Sequence, residues 1–155
     1  LYDYVEDKTI FDIDKLPLPE KDHFLFEKIK AILAEQLDAD AEKISVFGVA
    51  YKGNTDDARE SPAFEIITGL KAAGYEIAIH DPHFDNPDYL DFDEATKDSS
   101  LVLILTDHNQ FKDMDYDALS KNMKTKVIFD TKNIIKEVPD GITLINYGNL
   151  YKYNK

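Results

Sequence analysis

Apolar residues occur along the chain in short continuous runs, separated by segments in which they recur at a helical three-four spacing. A short apolar run favours a buried strand, and the three-four spacing favours a helix with one apolar face. The predicted strands are 44–50, 75–80, 101–106, 127–130 and 142–145, and the predicted helices are 20–37, 61–73, 92–97 and 116–123. Strands that alternate with helices imply right-handed crossovers and a parallel sheet. We therefore predict the α/β class, with a Rossmann-like, doubly wound parallel sheet of about five strands and flanking helices.

The second predicted helix has sequence signals at both ends. Ser61 is a favoured N-cap residue, and Pro62 suits the first helical position, where no backbone N–H is needed. Gly74 follows the last apolar position, and glycine readily adopts the positive φ that ends many helices. The helix is therefore expected to begin at 61–62 and to end just before Gly74.

The start of the chain differs from the rest. Residues 1–18 are acidic and have no steady period, so we predict an N-terminal segment or linker there and one domain over 19–155. These first residues lack the basic start and apolar stretch of a signal peptide. The longest aliphatic run, 101–105, is too short to span a bilayer. We expect a cytoplasmic protein.

Composition narrows the range of partners and of chemistry. The 155 residues include 31 Asp and Glu against 18 Lys and Arg, a formal net charge of −13. Such a charge argues against nucleic acid and against an anionic membrane as partners, because both would be repelled. The chain has no cysteine. It therefore cannot itself supply a thiolate nucleophile or a thiolate metal ligand, and we predict no catalytic residue in it.

The fold predicts where a ligand would bind. In open parallel sheets, ligands bind beyond the carboxyl ends of the strands. The segments expected at that edge are 51–59, 81–83, 107–108, 130–133 and 147–149. Segment 51–59 is the strongest candidate because it leads into the N-terminus of a helix, where anions are favoured, and because it contains Lys52 and Arg59.

Arg59 is the only arginine in the chain. A guanidinium group suits planar, bidentate contact with a phosphate or carboxylate. An ion pair with Asp56 or Asp57 of the same loop would explain the residue equally well. The residues alone leave both interpretations open.

Two familiar nucleotide-binding motifs are absent. The segment from Gly48 to Thr55 has the glycine spacing of a phosphate loop, but Asn54 stands where the lysine that contacts the phosphates is required. No G-x-G-x-x-G motif follows the first strand. An NTPase site and a standard dinucleotide cradle are therefore not predicted.

His80, Asp81 and His83 stand close together around Pro82 at the end of the second strand. A metal centre would need further ligands that the sequence does not place, so no metal site is predicted. Asp81 has two possible uses. It could contact a ribose hydroxyl group, as an acid at this position does in Rossmann-type domains, or it could cap the turn before proline.

Several motifs together resemble a known family. The stretch from Val46 to Ala63 (VFGVAYKGNTDDARESPA), followed by Gly74 and IHDPH over 79–83, closely resembles the UDP-glucose/GDP-mannose dehydrogenase family. It is similar to the C-terminal, nucleotide-sugar-binding domain of those enzymes. The DTKN segment at 130–133 resembles the family's D-x-R-N motif, with Lys132 where arginine is usual. The resemblance covers about residues 44–150.

The resemblance implies a reaction and a set of site residues. Family members oxidise the C6 alcohol of a nucleotide sugar to a carboxylate in two NAD-dependent steps, through a catalytic cysteine upstream of this domain. Tyr51, Lys52 and Lys132 match positions that contact the substrate, and Arg59 matches an arginine that reaches the cofactor NAD across the domain cleft. Lysine at 132 lacks the forked donor of arginine. The version of the loop at 53–57 resembles members that act on UDP-N-acetylhexosamines.

The resemblance thus implies the substrate-binding domain of a nucleotide-sugar 6-dehydrogenase. The expected partner is a UDP-sugar. NAD would be bound mainly by a domain outside this chain, the chain would be inactive alone, and the complete enzyme would be a homodimer or larger. One alternative is a stand-alone, non-catalytic nucleotide-binding or assembly module. Another is a polar loop that serves only to cap its helix.

Overall fold

The computed structural model describes residues 25, 27–33, 42–50, 52–59 and 61–149. The strands are β1 (Lys43–Phe47), β2 (Glu76–His80), β3 (Leu101–Ile104), β4 (Val127–Asp130) and β5 (Thr143–Ile145). The helices are α1 (27–33), α2 (Ala63–Ala72), α3 (Phe92–Thr96), α4 (Asn109–Lys112) and α5 (Tyr116–Asn122). All strand pairs are parallel, in the order β2-β1-β3-β4-β5. The predicted five-stranded, doubly wound sheet is confirmed.

Both faces of the sheet are covered. Successive residues of a strand point to opposite faces, so Leu101 and Leu103 of β3 join one core with α1 and α2. Val102 and Ile104 join a second core with α4 and α5. All four residues of β3 are buried, which explains why this strand is continuously apolar in sequence.

Helix α2 ends as the sequence predicts and begins one residue later. Pro62 has helical dihedral angles (φ −71°, ψ −12°) and directly precedes the first helical residue, Ala63. The hydroxyl of Ser61 accepts a hydrogen bond from the Ala63 N–H at 3.2 Å. At the other end Gly74 has φ +104°, and the next residue donates its N–H to the Leu70 carbonyl at 3.2 Å. This pair of features is the usual glycine-based helix stop.

Strand β1 is shorter than predicted. It ends at Phe47, whereas the sequence predicts a strand through Ala50. Gly48 turns the chain with φ +96°, and a Cβ atom there would overlap the side chain of Thr106. Val49 and Ala50 remain buried without belonging to the strand, and so they look like strand residues in sequence.

Two other differences concern helices. The single-turn helix α4 was not predicted, since it buries one large apolar residue, Phe111, and offers too little periodicity to detect. The described part of the first predicted helix, 25 and 27–33, is helical; its remainder lies outside the described residues, as does segment 1–18. The domain boundary near residue 18 therefore stays a prediction. Within the described ranges, no helix has the length and apolar character needed to cross a bilayer.

Candidate functional site

A cleft of about 410 Å³ lies at the carboxyl edge of the sheet. Lys52, from the loop after β1, and Lys132, from the loop after β4, both line it. The residues around the two lysines include Ser61, Pro62, Thr131 and Tyr147. The structure thus brings two of the predicted substrate-contacting residues into one cleft beside the N-terminus of α2. The third, Tyr51, lies outside the described residues.

Asp130, at the end of β4, holds the loop that carries Lys132. Its carboxylate is fully buried and accepts hydrogen bonds from three backbone N–H groups. The donors are Lys132 at 3.0 Å, Ile134 at 2.7 Å and Ile135 at 2.8 Å. A carboxylate that accepts several N–H bonds fixes the course of a tight loop. The acid of the DTKN segment therefore sets the position from which Lys132 reaches the cleft.

The loop that carries Lys52 is anchored on both sides. Before it, the carbonyl of Ala50 accepts a hydrogen bond from Thr106 Oγ1 at 3.2 Å. After it, the backbone of Gly53 lies so close to Asp107 that a Cβ atom would overlap that residue. The glycine spacing of a phosphate loop is thus used for internal packing at both Gly48 and Gly53, and not for the approach of a ligand.

Residues 107–109 hold the turn after Lys52. The Asn54 N–H donates to His108 Nδ1 at 2.8 Å, and the Asn109 N–H donates to Asn54 Oδ1 at 2.9 Å. Asn54 has a positive φ of 59°, a conformation that asparagine tolerates better than most residues. The sequence predicted 107–108 at the sheet edge but gave no sign of this contact.

His108 is fully buried and paired with a buried acid. Its Nε2 lies 3.0 and 3.1 Å from the two carboxylate oxygens of Asp81. Since Nδ1 accepts the Asn54 N–H, the ring proton must be on Nε2 and the imidazole is neutral. Burial lowers the pKa of His108, and the nearby Asp81 only partly opposes that effect.

Asp81 is used inside the protein. Besides contacting His108, it accepts hydrogen bonds from the Val49 N–H at 2.8 Å and the His83 N–H at 2.9 Å. Only 3% of the residue is exposed. Of the two uses considered for this acid, the structure supports the turn-capping one.

The two histidines beside Asp81 also have protein partners. His80 Nδ1 lies 2.9 Å from the Leu90 carbonyl oxygen, and His83 Nε2 lies 3.1 Å from Gln110 Oε1. Across the part of the chain that the structure describes, no three histidine or acidic side chains are grouped so as to hold a metal ion.

Arg59 forms a bidentate ion pair with Asp57. Arg59 Nε and Nη2 lie 3.0 and 2.9 Å from the two oxygens of the Asp57 carboxylate. These hydrogen bonds lower the pKa of Asp57 to about 2 and raise that of Arg59. The arginine side chain is 88% exposed and is absent from the described lining of the cleft. Of the two uses that the sequence left open, the structure shows the ion pair.

Tyr147 has no counterpart among the predicted site residues. It follows β5, lines the cleft and is 45% exposed, and its ring packs edge to face on Phe129 with centroids 5.9 Å apart. The sequence places segment 147–149 at the correct edge. Nothing in the sequence distinguishes this tyrosine from the eight others, because its place in the cleft depends on residues far away in the chain.

Known proteins resemble the chain over most of this region. Residues 45–137 match the UDP-glucose/GDP-mannose dehydrogenase family, UDP binding domain. A UDP-N-acetyl-D-mannosamine dehydrogenase of Methanococcus maripaludis is 40% identical over 114 residues, which are 69% of this chain and 27% of that protein. A UDP-glucose 6-dehydrogenase of Rhizobium meliloti is 34% identical over 117 residues, 70% of this chain and 27% of that protein.

A solved structure agrees with these matches. The UDP-N-acetyl-mannosamine dehydrogenase of Staphylococcus aureus superposes with a TM-score of 0.77 at 39% identity, over 86% of this chain and 32% of that one. The chain thus spans about a third or less of the length of these relatives. The resemblance predicted from the motifs is confirmed: the chain belongs to the UDP-glucose/GDP-mannose dehydrogenase family and corresponds to its UDP binding domain.

Proposed function

We propose that the chain is the C-terminal substrate-binding domain of a nucleotide-sugar 6-dehydrogenase, and that the cleft binds the UDP part of a UDP-sugar. One observation carries the proposal. Lys52 and Lys132 come from loops after two different strands and line the same cleft in a protein of net charge −13. A pair of cations at one point of an acidic surface fits a small anionic ligand.

The chemistry of a diphosphate matches this cleft. Its two negative charges would be neutralised by the two ammonium groups, and the N-terminus of α2 adds a partial positive charge at the same edge. Lysine binds phosphate as a point charge and needs no forked geometry. Lysine in place of arginine at 132 therefore weakens the geometric fit but keeps the charge. Tyr51 matches a further substrate-contacting position of the family.

In the proposed enzyme, this domain holds the substrate while other parts carry out the chemistry. When bound to the complete enzyme, NAD would supply the hydride acceptor for oxidation of the C6 alcohol to a carboxylate, which takes two hydride transfers to two molecules of NAD and consumes one water. The catalytic cysteine would come from outside this chain, which has none. Arg59, on the exposed rim of its loop, is proposed to contact NAD from this domain. The complete enzyme is expected to be a homodimer or larger.

The test is a titration of the chain with UDP, monitored by NMR amide shifts. Lys52→Ala and Lys132→Ala should each weaken binding by about 1.5–3 kcal/mol, the value of a hydrogen bond to a charged group. That loss corresponds to roughly ten- to hundredfold in Kd. Lys71→Ala, at the opposite end of α2, removes the same charge outside the cleft and should leave Kd within about twofold of wild type.

Arg59→Ala is a second control, since Arg59 does not line the described cleft, and it should also leave UDP affinity unchanged. Equal affinities in Lys52→Ala and wild type would contradict the proposal. So would an equal loss in Lys71→Ala, because the effect would then be one of general charge. UDP binding without any UDP-sugar-dependent NADH formation by the native gene product would favour the alternative, a non-catalytic nucleotide-binding or assembly module.

A further inference from the structure

His108 is fully buried, accepts a hydrogen bond from Asn54 in the loop that carries Lys52, and is not part of the described lining of the cleft. We propose that neutral His108 is a positioning residue for UDP-sugar binding, because it holds the turn after Lys52 through the Asn54 N–H. The inference deepens the proposed function and rests on it. His108 would act on the ligand through Lys52 and not by direct contact.

The first support is the local geometry. Asn54 is two residues from Lys52, so the position of the Asn54 backbone restricts the position of the Lys52 Cα atom, from which the side chain extends. Residues 107–109 contact this turn through three successive residues: packing of Asp107 on Gly53, the bond from Asn54 to His108, and the bond from Asn109 back to Asn54. The bond to His108, at 2.8 Å, is the one that joins the turn to the buried interior.

The second support is that the acceptor is fixed in place. Asp81 is held by backbone N–H groups from the loops after β1 and β2, and its carboxylate in turn orients the His108 ring. The ring of His83 stacks on that of His108, with centroids 4.2 Å apart and planes at 31°. Phe111 packs on it from α4, at 5.3 Å between centroids. A ring held by these groups presents Nδ1 at one defined point.

The third support is the protonation state. A neutral ring with its proton on Nε2 donates to Asp81 and accepts from Asn54. A protonated ring would present an N–H group to the Asn54 N–H, and two donors cannot bond to each other. The charged groups that face the ring are Asp81 and the neighbouring Asp107, with His83 as the other titratable group. The hydrogen bond from the Asn54 N–H to His108 therefore forms only with the neutral ring.

Two substitutions at 108 separate the hydrogen bond from the bulk of the ring. Phenylalanine keeps the flat shape but provides neither the acceptor for Asn54 nor the donor to Asp81. Because only the acceptor contacts the turn after Lys52, His108→Phe should weaken UDP-glucose binding about three- to tenfold, the equivalent of one hydrogen bond. The amide of glutamine can accept from Asn54 and donate to Asp81. His108→Gln should therefore bind within about twofold of wild type.

A matched control removes a buried hydrogen bond elsewhere. The Thr96 hydroxyl donates to the Phe92 carbonyl at 2.9 Å, in a fully buried residue that does not belong to the described lining of the cleft. Thr96→Val keeps the shape of the side chain without this hydrogen bond, so it should lower stability without lowering UDP-glucose affinity by more than about twofold. Equal losses in Thr96→Val and His108→Phe would mean that general destabilisation explains both.

A double-mutant cycle with Lys52 tests the route of the effect. If His108 acts through Lys52, then adding His108→Phe to Lys52→Ala should cost little further affinity, because the group being positioned is already gone. A purely structural role predicts that the two losses multiply. Three outcomes would each overturn the proposal. They are full additivity of the two losses in the cycle, an unchanged affinity in His108→Phe, and an affinity in His108→Gln as low as that in His108→Phe.

Amide hydrogen exchange in the ligand-free chain separates this inference from the proposed function. In His108→Phe the Asn54 amide should exchange at least about tenfold faster than in wild type, while amides of β1 and β3 stay protected. If wild type does not bind UDP-glucose and Asn54 is nevertheless deprotected, the positioning contact is right and the proposed ligand is wrong. If wild type binds but Asn54 is unaffected, the proposed function stands and the role of His108 fails.

Discussion

The residues at the cleft divide into those that line it and those that hold the lining residues in place. Lys52 and Lys132 line the cleft, whereas His108 and Asp130 are fully buried behind them. The segments that carry the first pair could be placed at one edge from sequence, because the loops after parallel strands meet there. Lys52 stands out as a cation in its loop, whereas Lys132 is assigned through the resemblance to the family. The contact from Asn54 to His108 could not be predicted, since the two residues are 54 positions apart.

Arg59 and Asp57 give a prediction at the same scale. The bidentate hydrogen bonds from the guanidinium stabilise the charged carboxylate, so the Asp57 pKa should be about 2, and Arg59→Ala should raise it towards the ordinary value of 3.8. Carboxyl carbon NMR shifts at pH 3 would distinguish the two proteins, because the wild-type Asp57 should still be mostly ionised there and that of Arg59→Ala mostly protonated. The amide spectrum would verify that the chain stays folded.

Arg59→Lys is the matched control for charge. It keeps the positive charge but loses the pair of N–H donors of the guanidinium group, so the Asp57 pKa should lie between those of wild type and Arg59→Ala. An Asp57 carboxylate in wild type that is half protonated near pH 3.8 would show that the ion pair is not formed in solution.

Whole elements were largely predictable because the sheet is buried on both faces. Four of the five strands, β2 to β5, lie within the predicted ranges, and the run of buried residues in β3 is visible directly as an apolar run. The predicted end of β1 was wrong because the chain turns at Gly48, where the backbone packs closely against Thr106, a residue distant in sequence. Local pattern carries no information about such a contact.

Strand β4 gives a prediction at the scale of elements. Its last residue, Asp130, accepts three backbone N–H bonds from the loop that follows. Asparagine has one acceptor oxygen and would turn its amide group towards at least one of those donors. Asp130→Asn should therefore lower the free energy of unfolding by about 1–3 kcal/mol and weaken UDP binding, because Lys132 loses its fixed loop.

Urea unfolding and the UDP titration measure the two effects. Asp140→Asn makes the same change of charge at an exposed position and should change neither quantity appreciably. A loss of stability in Asp130→Asn with full UDP affinity would show that the loop keeps its course without the carboxylate.

The molecule combines a strongly acidic composition with the buried, neutral imidazole of His108. Burial lowers the pKa of His108 below its ordinary value of 6.5. As the pH falls, His108 therefore takes up a proton at a higher pH in the unfolded chain than in the folded one. Stability from this residue is fully present above pH 6.5. It is lost as the pH falls from 6.5 towards the folded-state pKa, by at most about 1.4 kcal/mol per pH unit.

Urea unfolding at pH 7.5, 6.5 and 5.5 would test this dependence. His108→Gln cannot take up a proton at position 108, so wild type should lose more stability than this variant between pH 6.5 and 5.5. Identical pH dependence in the two proteins would mean that His108 titrates in the folded state as it does in the unfolded chain.

The described cleft is assembled from several separate stretches of chain, which include the loops after β1, β4 and β5 and the start of α2. The two cores that stabilise the sheet contain neither of the lysines nor Tyr147. Lys52 and Lys132 can therefore be exchanged without loss of core packing, whereas Ala63 and Ile66, which line the same cleft, belong to one of the cores. Under the proposed function, preference for one sugar nucleotide over another can change through the cleft side chains that lie outside the cores, one position at a time.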